Sequence, residues 1–419
     1  MESIIIKGGK SLKGTVNISG SKNAALPILA TSILVRKLEL NNVPHLADIS
    51  SMLSLLESLG INNNFINRNS VVLESTDKIS SIANYNLVRK MRASFLVLGP
   101  LLTRTGNAKV SLPGGCAIGL RPVDLHIYAM KMLGAEIELI DGYVIAKAKK
   151  SRLIGNKIEF PEISVGATEN AIMAAVLASG ETLIINAARE PEVEDLCNCL
   201  ISMGAKIDGV GTSEILIEGV NDLEEINYDI ISDRIEVCTF IIAAAITQSC
   251  LSIQKVNSNH IGSFLNIMEE MGLRFKLKKN KLDVYESGKL KPISLKTSAY
   301  PGFPTDMQAQ IVALACLSTG NSEVQENIFE NRFMHIPELN RLGANISIEG
   351  NKAIIKGNSS FVGAEVMATD LRASVSLILA GLACKGTTKV NRVYHLDRGY
   401  ENLEKKLRNC GAKITRVNN

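Results

Sequence analysis

Residues 371–379 read LRASVSLIL, and 280 positions earlier residues 91–98 read MRASFLVL. Each is an apolar helical run with an arginine at its second position. Near copies that far apart point to duplication, and a repeat decides an architecture before any motif does. Six segments across the chain close an amphipathic helix on a shared phrase: LLESLGINN, MKMLGAEIE, LISMGAKID, MEEMGLRFK, LNRLGANIS and LRNCGAKIT. Their glycines, Gly60, Gly134, Gly204, Gly272, Gly343 and Gly411, lie 74, 70, 68, 71 and 68 residues apart. In each phrase the glycine suits the left-handed residue that ends a helix, and the alternating pattern after it suits a strand.

A second helix recurs once per period and is apolar on nearly every side: SKNAALPILATSIL, RKMRASFLVLGPLL, GATENAIMAAVLASG, DRIEVCTFIIAAAI, TDMQAQIVALACLSTG and TDLRASVSLILAGLACKG. Helices of that kind belong inside a domain. The expectation is an α/β (α+β) chain of six βαβαββ-like units of about 70 residues, with buried helices packed together and sheets outside them. A chain of 419 residues exceeds what one core usually spans. Two domains of three units follow, divided near YDIISDRIE, Tyr228 to Glu236. Pro27 implies a kink in the first buried helix or a later start.

Lys+Arg 46 against Asp+Glu 42 leaves a net charge of +4, which argues against a general nucleic-acid binder. The densest basic run, FKLKKNKL from Phe275, alternates apolar and cationic residues and reads as a strand with a solvated face. The opening MESIIIKGGKSLKG lacks the pattern of a secretory signal, and no run of about 18 uncharged apolar residues predicts membrane insertion. Eight cysteines and five histidines are dispersed, so neither a disulfide framework nor a metal site is expected. The cytoplasm is the expected location, with no cofactor.

Polar residues cluster where the buried helices begin: Lys22 and Asn23, Arg92, Thr168 and Glu169, Asp233 and Arg234, Asp306, and Asp370 and Arg372. Acidic and hydroxyl side chains are ordinary caps there. Lysine and arginine oppose the helix dipole at a cost of about 0.3 to 1 kcal/mol each, which a bound anion reverses. Helix starts gathered into one cleft would therefore bind an anionic ligand. Arg121 in GLRPVDLH, Arg332 in ENRFMH and Arg398 in HLDRGYENL add cations in polar turns, suiting a substrate with more than one anionic group. SLPGGCAIGLRP, residues 111–122, reads as a mobile glycine-rich loop in which Arg121 would favour the thiolate of Cys116.

The stretches SGSKNAALP, GGCAIGLRPVDLH, SVGATEN, AAREPE, FPTDMQAQ, FENRFMHIPEL, ATDLRAS and HLDRGYENL, in this order along the chain, resemble the UDP-N-acetylglucosamine 1-carboxyvinyltransferases of the enolpyruvyltransferase family. The resemblance implies a two-domain inside-out α/β barrel, with residues 22–231 as one domain and 1–21 plus 232–419 as the other. It implies transfer of the enolpyruvyl group of phosphoenolpyruvate to the 3'-hydroxyl of UDP-N-acetylglucosamine, with release of phosphate, towards peptidoglycan. These two small molecules would be its partners. Lys22, Arg121 and Arg398 would hold the phosphate of phosphoenolpyruvate, with Asn23 beside them, and Arg332 and Arg372 its carboxylate. Asn23, Arg92, Arg121, Pro122, Val123, Asp124, Leu125, Ser164, Val165, Asp306 and Ile328 would contact the sugar nucleotide. Asp306 would also be the base and Cys116 the acid, and Cys116 the thiol alkylated by fosfomycin. Glu162 stands where some relatives carry a basic residue.

Two alternatives share the scaffold. One is the sister enzyme acting on shikimate 3-phosphate, which lacks the cysteine loop. The other is a non-catalytic nucleotide-sugar sensor, against which Cys116, Asp306 and the arginines argue together.

Overall fold

The computed structural model describes residues 2–114, 123–149 and 152–418. Cys116, Arg121 and Pro122, expected above to act in the site, lie outside the described residues. The six repeat glycines all have positive φ, from 85° at Gly134 to 97° at Gly411. A side chain there would be strained, so glycine stops each helix and turns the chain into the strand that follows. The helices so ended are Ala47–Ser58, Asp124–Met132, Pro191–Ser202, Gly262–Glu270, Ile336–Arg341 and Leu403–Asn409.

The chain divides into two compact units, one of residues 20–114 and 123–231, the other of 2–19 and 232–418. Each has its own hydrophobic core. In the first unit, Lys22–Thr31 and Leu98–Thr105 pack on Val165–Ala175. In the second, Arg234–Ile246, Gln308–Ala315 and Leu371–Ala383 pack on one another. These helices present alanine, leucine and isoleucine on every side, so only mutual burial satisfies them.

Around the helices stand six four-stranded sheets among the described residues, three in each unit. Every sheet repeats one pattern, a short edge strand parallel to its neighbour and two further antiparallel strands. Lys157–Glu159, Glu181–Ile185, Glu214–Glu218 and Lys206–Asp208 show it in spatial order. Two sheets take their parallel edge strand from a distant part of the chain. Lys13–Asn17 pairs with Cys250–Gln254, and Ile226–Asp229 pairs with Lys37–Asn41. In a third sheet the chain's first strand, Glu2–Lys7, lies between Thr387–Asn391 and Lys413–Asn418 and supplies the strand the sixth repeat lacks.

Helix starts differ in detail from the sequence expectation. The helix assigned to Thr168 and Glu169 begins at Val165, because the Ser164 hydroxyl caps it by accepting from the Ala167 N–H. The first buried helix begins at Lys22 with Ser21 as its cap and continues past Pro27 to Thr31. Proline there donates nothing to the Asn23 carbonyl, and helix starts otherwise satisfied tolerate the loss when both flanks are packed. No helix among the described residues is long and apolar enough to cross a membrane.

Candidate active site

In the unit that holds residues 232–418, the turn Thr305–Met307 opens the helix Gln308–Ala315 and places Asp306 between two arginines. Asp306 Oδ1 accepts from Arg332 Nη2 at 2.8 Å, and Oδ2 accepts from Arg372 Nη2 at 2.7 Å. Both arginines are 5% exposed, so their side chains depend on these partners rather than on water. Burial opposes the charged form of Asp306, but the charges of Arg372 and Arg332 outweigh it and hold the carboxyl well below the usual range. Two guanidiniums about one carboxylate give the trio a net positive charge, which favours a further anion.

The outer nitrogens of the arginines are also held. Arg332 Nη1 donates to the Thr305 hydroxyl at 3.3 Å, and its guanidinium lies 5.1 Å from the Phe329 ring centroid. Arg372 Nη1 donates to the Tyr400 hydroxyl at 3.3 Å. Tyr400 is buried and receives Gln310 Nε2 as well, while Thr239 Oγ1 lies 2.9 Å away. Because Thr239 gives its own proton to the Ile235 carbonyl, the tyrosine donates to Thr239. One hydroxyl thereby links the three central helices. Arg372 follows its cap Asp370, whose carboxylate accepts from the Arg372 and Ala373 N–H groups. Arg398 is half-buried at the end of the turn Val393–Arg398, two residues before Tyr400. Ile328 has an exposed side chain.

In the other unit Lys22 is the first residue of its helix, with Nζ 3.4 Å from Asp48 Oδ2 on the neighbouring outer helix. That carboxylate offsets the unfavourable placement of a cation at a helix start. Asn23 beside it is half-buried. Arg92 opens the turn Arg92–Val97, against which the Lys22–Thr31 helix packs. Val123 and Leu125 are buried and Asp124 is exposed at the start of the helix Asp124–Met132. Ser164 and Val165 are half-buried, and Glu162 is exposed.

One histidine brings three of these segments together. His126 is buried, its ring close above Gly166 and edge-on to Phe95, with Nδ1 3.0 Å from Asn170 Nδ2. Asn170 Nδ2 also donates to the Phe95 carbonyl, and its Oδ1 accepts from the Gly99 N–H. Burial and the Arg92 charge lower the His126 pKa to about 3, so the ring is neutral and the network assigns its proton to Nε2.

Thr305, Glu326, Tyr400 and Asn170 were missed by sequence reasoning. Thr305 adjoins Asp306 in FPTDM, which is the one signal that could have found it. Six of the seven described thiols are buried, and burial pushes Cys197 and Cys316 up to about 12, so neither is a nucleophile at neutral pH. Among the described residues no cluster of three or more His, Cys, Asp or Glu is arranged to hold a metal ion.

Comparison with known proteins adds lineage to this geometry. Residues 6–407 match the family model described as EPSP synthase (3-phosphoshikimate 1-carboxyvinyltransferase). Over 420 residues, and 100% of both chains, the sequence is 53% identical to the UDP-N-acetylglucosamine 1-carboxyvinyltransferase of Rickettsia africae. It is 52% identical to the protein of the same name from Pelagibacter ubique over 421 residues, again 100% of both chains. The enolpyruvyl transferase NikO from Streptomyces tendae has the same fold, with a TM-score of 0.90, 23% identity and 99% of each chain covered. EPSP synthase from Acinetobacter baumannii shares it at a TM-score of 0.79, with 17% identity and full coverage of both chains.

Proposed function

The chain belongs to the EPSP synthase family and within it to the UDP-N-acetylglucosamine 1-carboxyvinyltransferases, and on that premise we propose that it transfers the enolpyruvyl group of phosphoenolpyruvate to the 3'-hydroxyl of UDP-N-acetylglucosamine. Phosphate is released, and the product serves peptidoglycan synthesis. The observation that carries the reading is the Arg332–Asp306–Arg372 trio, whose two guanidiniums are buried, in a chain identical at about half its positions to relatives of that name along their whole length.

In this reading the domains are 22–231 and 1–21 plus 232–419. Arg332 and Arg372 take the carboxylate of phosphoenolpyruvate, while Lys22, Arg121 and Arg398 take its phosphate, with Asn23 adjacent. Asn23, Arg92, the segment Arg121 to Leu125, Ser164, Val165, Asp306 and Ile328 contact the sugar nucleotide. Cys116 protonates the methylene carbon, and the oxocarbenium-like centre so formed is attacked by the 3'-hydroxyl as Asp306 removes its proton. The resulting tetrahedral ketal loses phosphate, whose charge the cations stabilise.

The structure of the trio gives that sequence a physical logic. Asp306 held by two guanidiniums is a weak base, since its carboxyl lies well below the usual range. A ligand carboxylate competing for the same guanidiniums draws them away, and Asp306 gains basicity as the substrate arrives.

The test is phosphate release from phosphoenolpyruvate, with UDP-N-acetylglucosamine and with shikimate 3-phosphate as acceptors in turn. Turnover is expected with the first alone, blocked by fosfomycin with a mass gain on Cys116. Asp306→Asn is expected to bind the sugar nucleotide but to turn over about 100- to 10,000-fold more slowly. Wild-type turnover in that variant removes Asp306 from the mechanism, and turnover with shikimate 3-phosphate replaces the reading with the sister activity.

A further inference from the structure

Glu326 is 3% exposed and lies one residue beyond the strand Ser322–Gln325, in a stretch that reads as a polar loop. Its carboxylate gathers donors from three separate segments. Oε1 accepts from the Thr297 hydroxyl at 2.9 Å, from the Ile328 N–H at 2.8 Å and from the Phe329 N–H at 3.2 Å. Oε2 accepts from the Thr305 hydroxyl at 2.8 Å. Thr297 in turn accepts from the Asn327 N–H, so the turn 326–329 is tied down at consecutive residues.

The Thr305 hydroxyl has one proton, and it goes to Glu326. The same oxygen must therefore act as acceptor towards Arg332 Nη1. A directed chain results, in which Arg332 donates to Thr305 and Thr305 donates to Glu326. Asp306 is the next residue after Thr305, and Ile328 and Arg332 follow Glu326 by two and six positions. A carboxylate at 326 offers acceptors to all four donors, whereas an amide in the same place would turn an N–H towards the donating Thr305 hydroxyl.

We infer that Glu326 is a positioning residue for the reaction: through Thr305 it fixes the direction of the Arg332 guanidinium and the start of the Asp306 turn, and through two N–H groups it fixes Ile328. The inference rests on the transferase reading above, in which those three residues serve the carboxylate, the proton and the sugar nucleotide. Glu326 touches neither substrate. Its function is to keep the groups that do touch them in one register, where a misplacement of about 1 Å costs roughly 100-fold in rate.

Four variants test it: Glu326→Ala, Glu326→Gln, Thr305→Val and Thr305→Ser, with kcat and both KM values from phosphate release and the thermal midpoint of each. Thr305→Val keeps the volume of the side chain and removes both bonds. It is expected to unfold close to the wild-type temperature while kcat/KM falls about 10- to 100-fold, and Thr305→Ser is expected to restore most of it. Glu326→Ala is expected to lower kcat at least as far, with Glu326→Gln between it and wild type. Wild-type kcat and KM values in Thr305→Val overturn the inference, even where Glu326→Ala fails to fold.

Absence of turnover in the wild-type protein itself would count against the proposed reaction instead. The inference is then judged by the crystal structure of Thr305→Val. A shift of the Arg332 guanidinium supports it, and an unmoved guanidinium, Asp306 and 326–329 turn overturn it.

Discussion

Asp195 and Asp306 are carboxylates whose surroundings push them in opposite directions. Asp195 is buried on the helix Pro191–Ser202. Burial raises its carboxyl to about 6, against the opposing pull of hydrogen bonds from the Tyr228 hydroxyl at 2.7 Å and the Ile231 N–H at 3.3 Å. Asp306 gains two guanidiniums and moves down instead. The consequence for Asp195 has a definite sign. Its folded pKa exceeds the unfolded value, so the native state binds more protons and loses stability as pH rises from about 4 to about 6. Asp195→Asn is expected to flatten the dependence of the thermal midpoint on pH across that interval, a difference on the order of 2 to 3 kcal/mol. An unchanged pH profile in the variant refutes the assignment. At this scale, the sequence showed cations and acids at helix starts but not their pairing. Asp306 bonds residues 26 and 66 positions away, and no periodicity encodes a contact at such distances. Glu326 was invisible because a glutamate among polar neighbours reads as solvated until the fold buries it.

Among the elements, the buried helices test the expectation that acidic starts are caps. Asp233 Oδ1 accepts from the Ile235 and Glu236 N–H groups at 2.8 and 3.1 Å, and Asp370 caps Leu371–Ala383 in the same way. Asp233→Ala is expected to destabilise its unit by about 1 to 2 kcal/mol, with Asp233→Asn or Asp233→Ser recovering most of the loss in thermal unfolding. Full stability in the alanine variant would show the cap to be idle. Both helix sets were legible, the outer ones from their closing glycines and the inner ones from uniform apolarity. The strand FKLKK was legible as well: Arg274–Lys278 pairs antiparallel with Lys281–Tyr285. The helix start at Ser164 was not, because Val165, Gly166, Ala167 and Thr168 separate the cap from Glu169, the first charged residue, and mask it. The two-residue strand Ile82–Ala83 was also hidden, being too short to show alternation.

At the scale of the whole molecule, the repeat count was written in the glycine spacing, whereas the exchange of strands between repeats was not. Pairing partners such as Ile5 and Lys389 leave no local signature. Residues 20–231 form a continuous stretch containing all the strands of three sheets, so that fragment is expected to fold alone and unfold cooperatively. A fragment of 232–419 lacks Glu2–Lys7 and Lys13–Asn17, an inner strand of one sheet and the edge of another. It is expected to show little cooperative unfolding by circular dichroism, and a well-folded 232–419 fragment would contradict this dependence. The inner strand has a biosynthetic consequence. Ile4 and Ile6, both fully buried in the finished protein, leave the ribosome well before their neighbours at 387–391 and 413–418. At roughly 5 to 20 residues per second, that sticky leading segment stays unsheathed for roughly 20 to 80 s. Native pairing of Ile4 and Ile6 therefore waits on the synthesis of the distant strands Thr387–Asn391 and Lys413–Asn418.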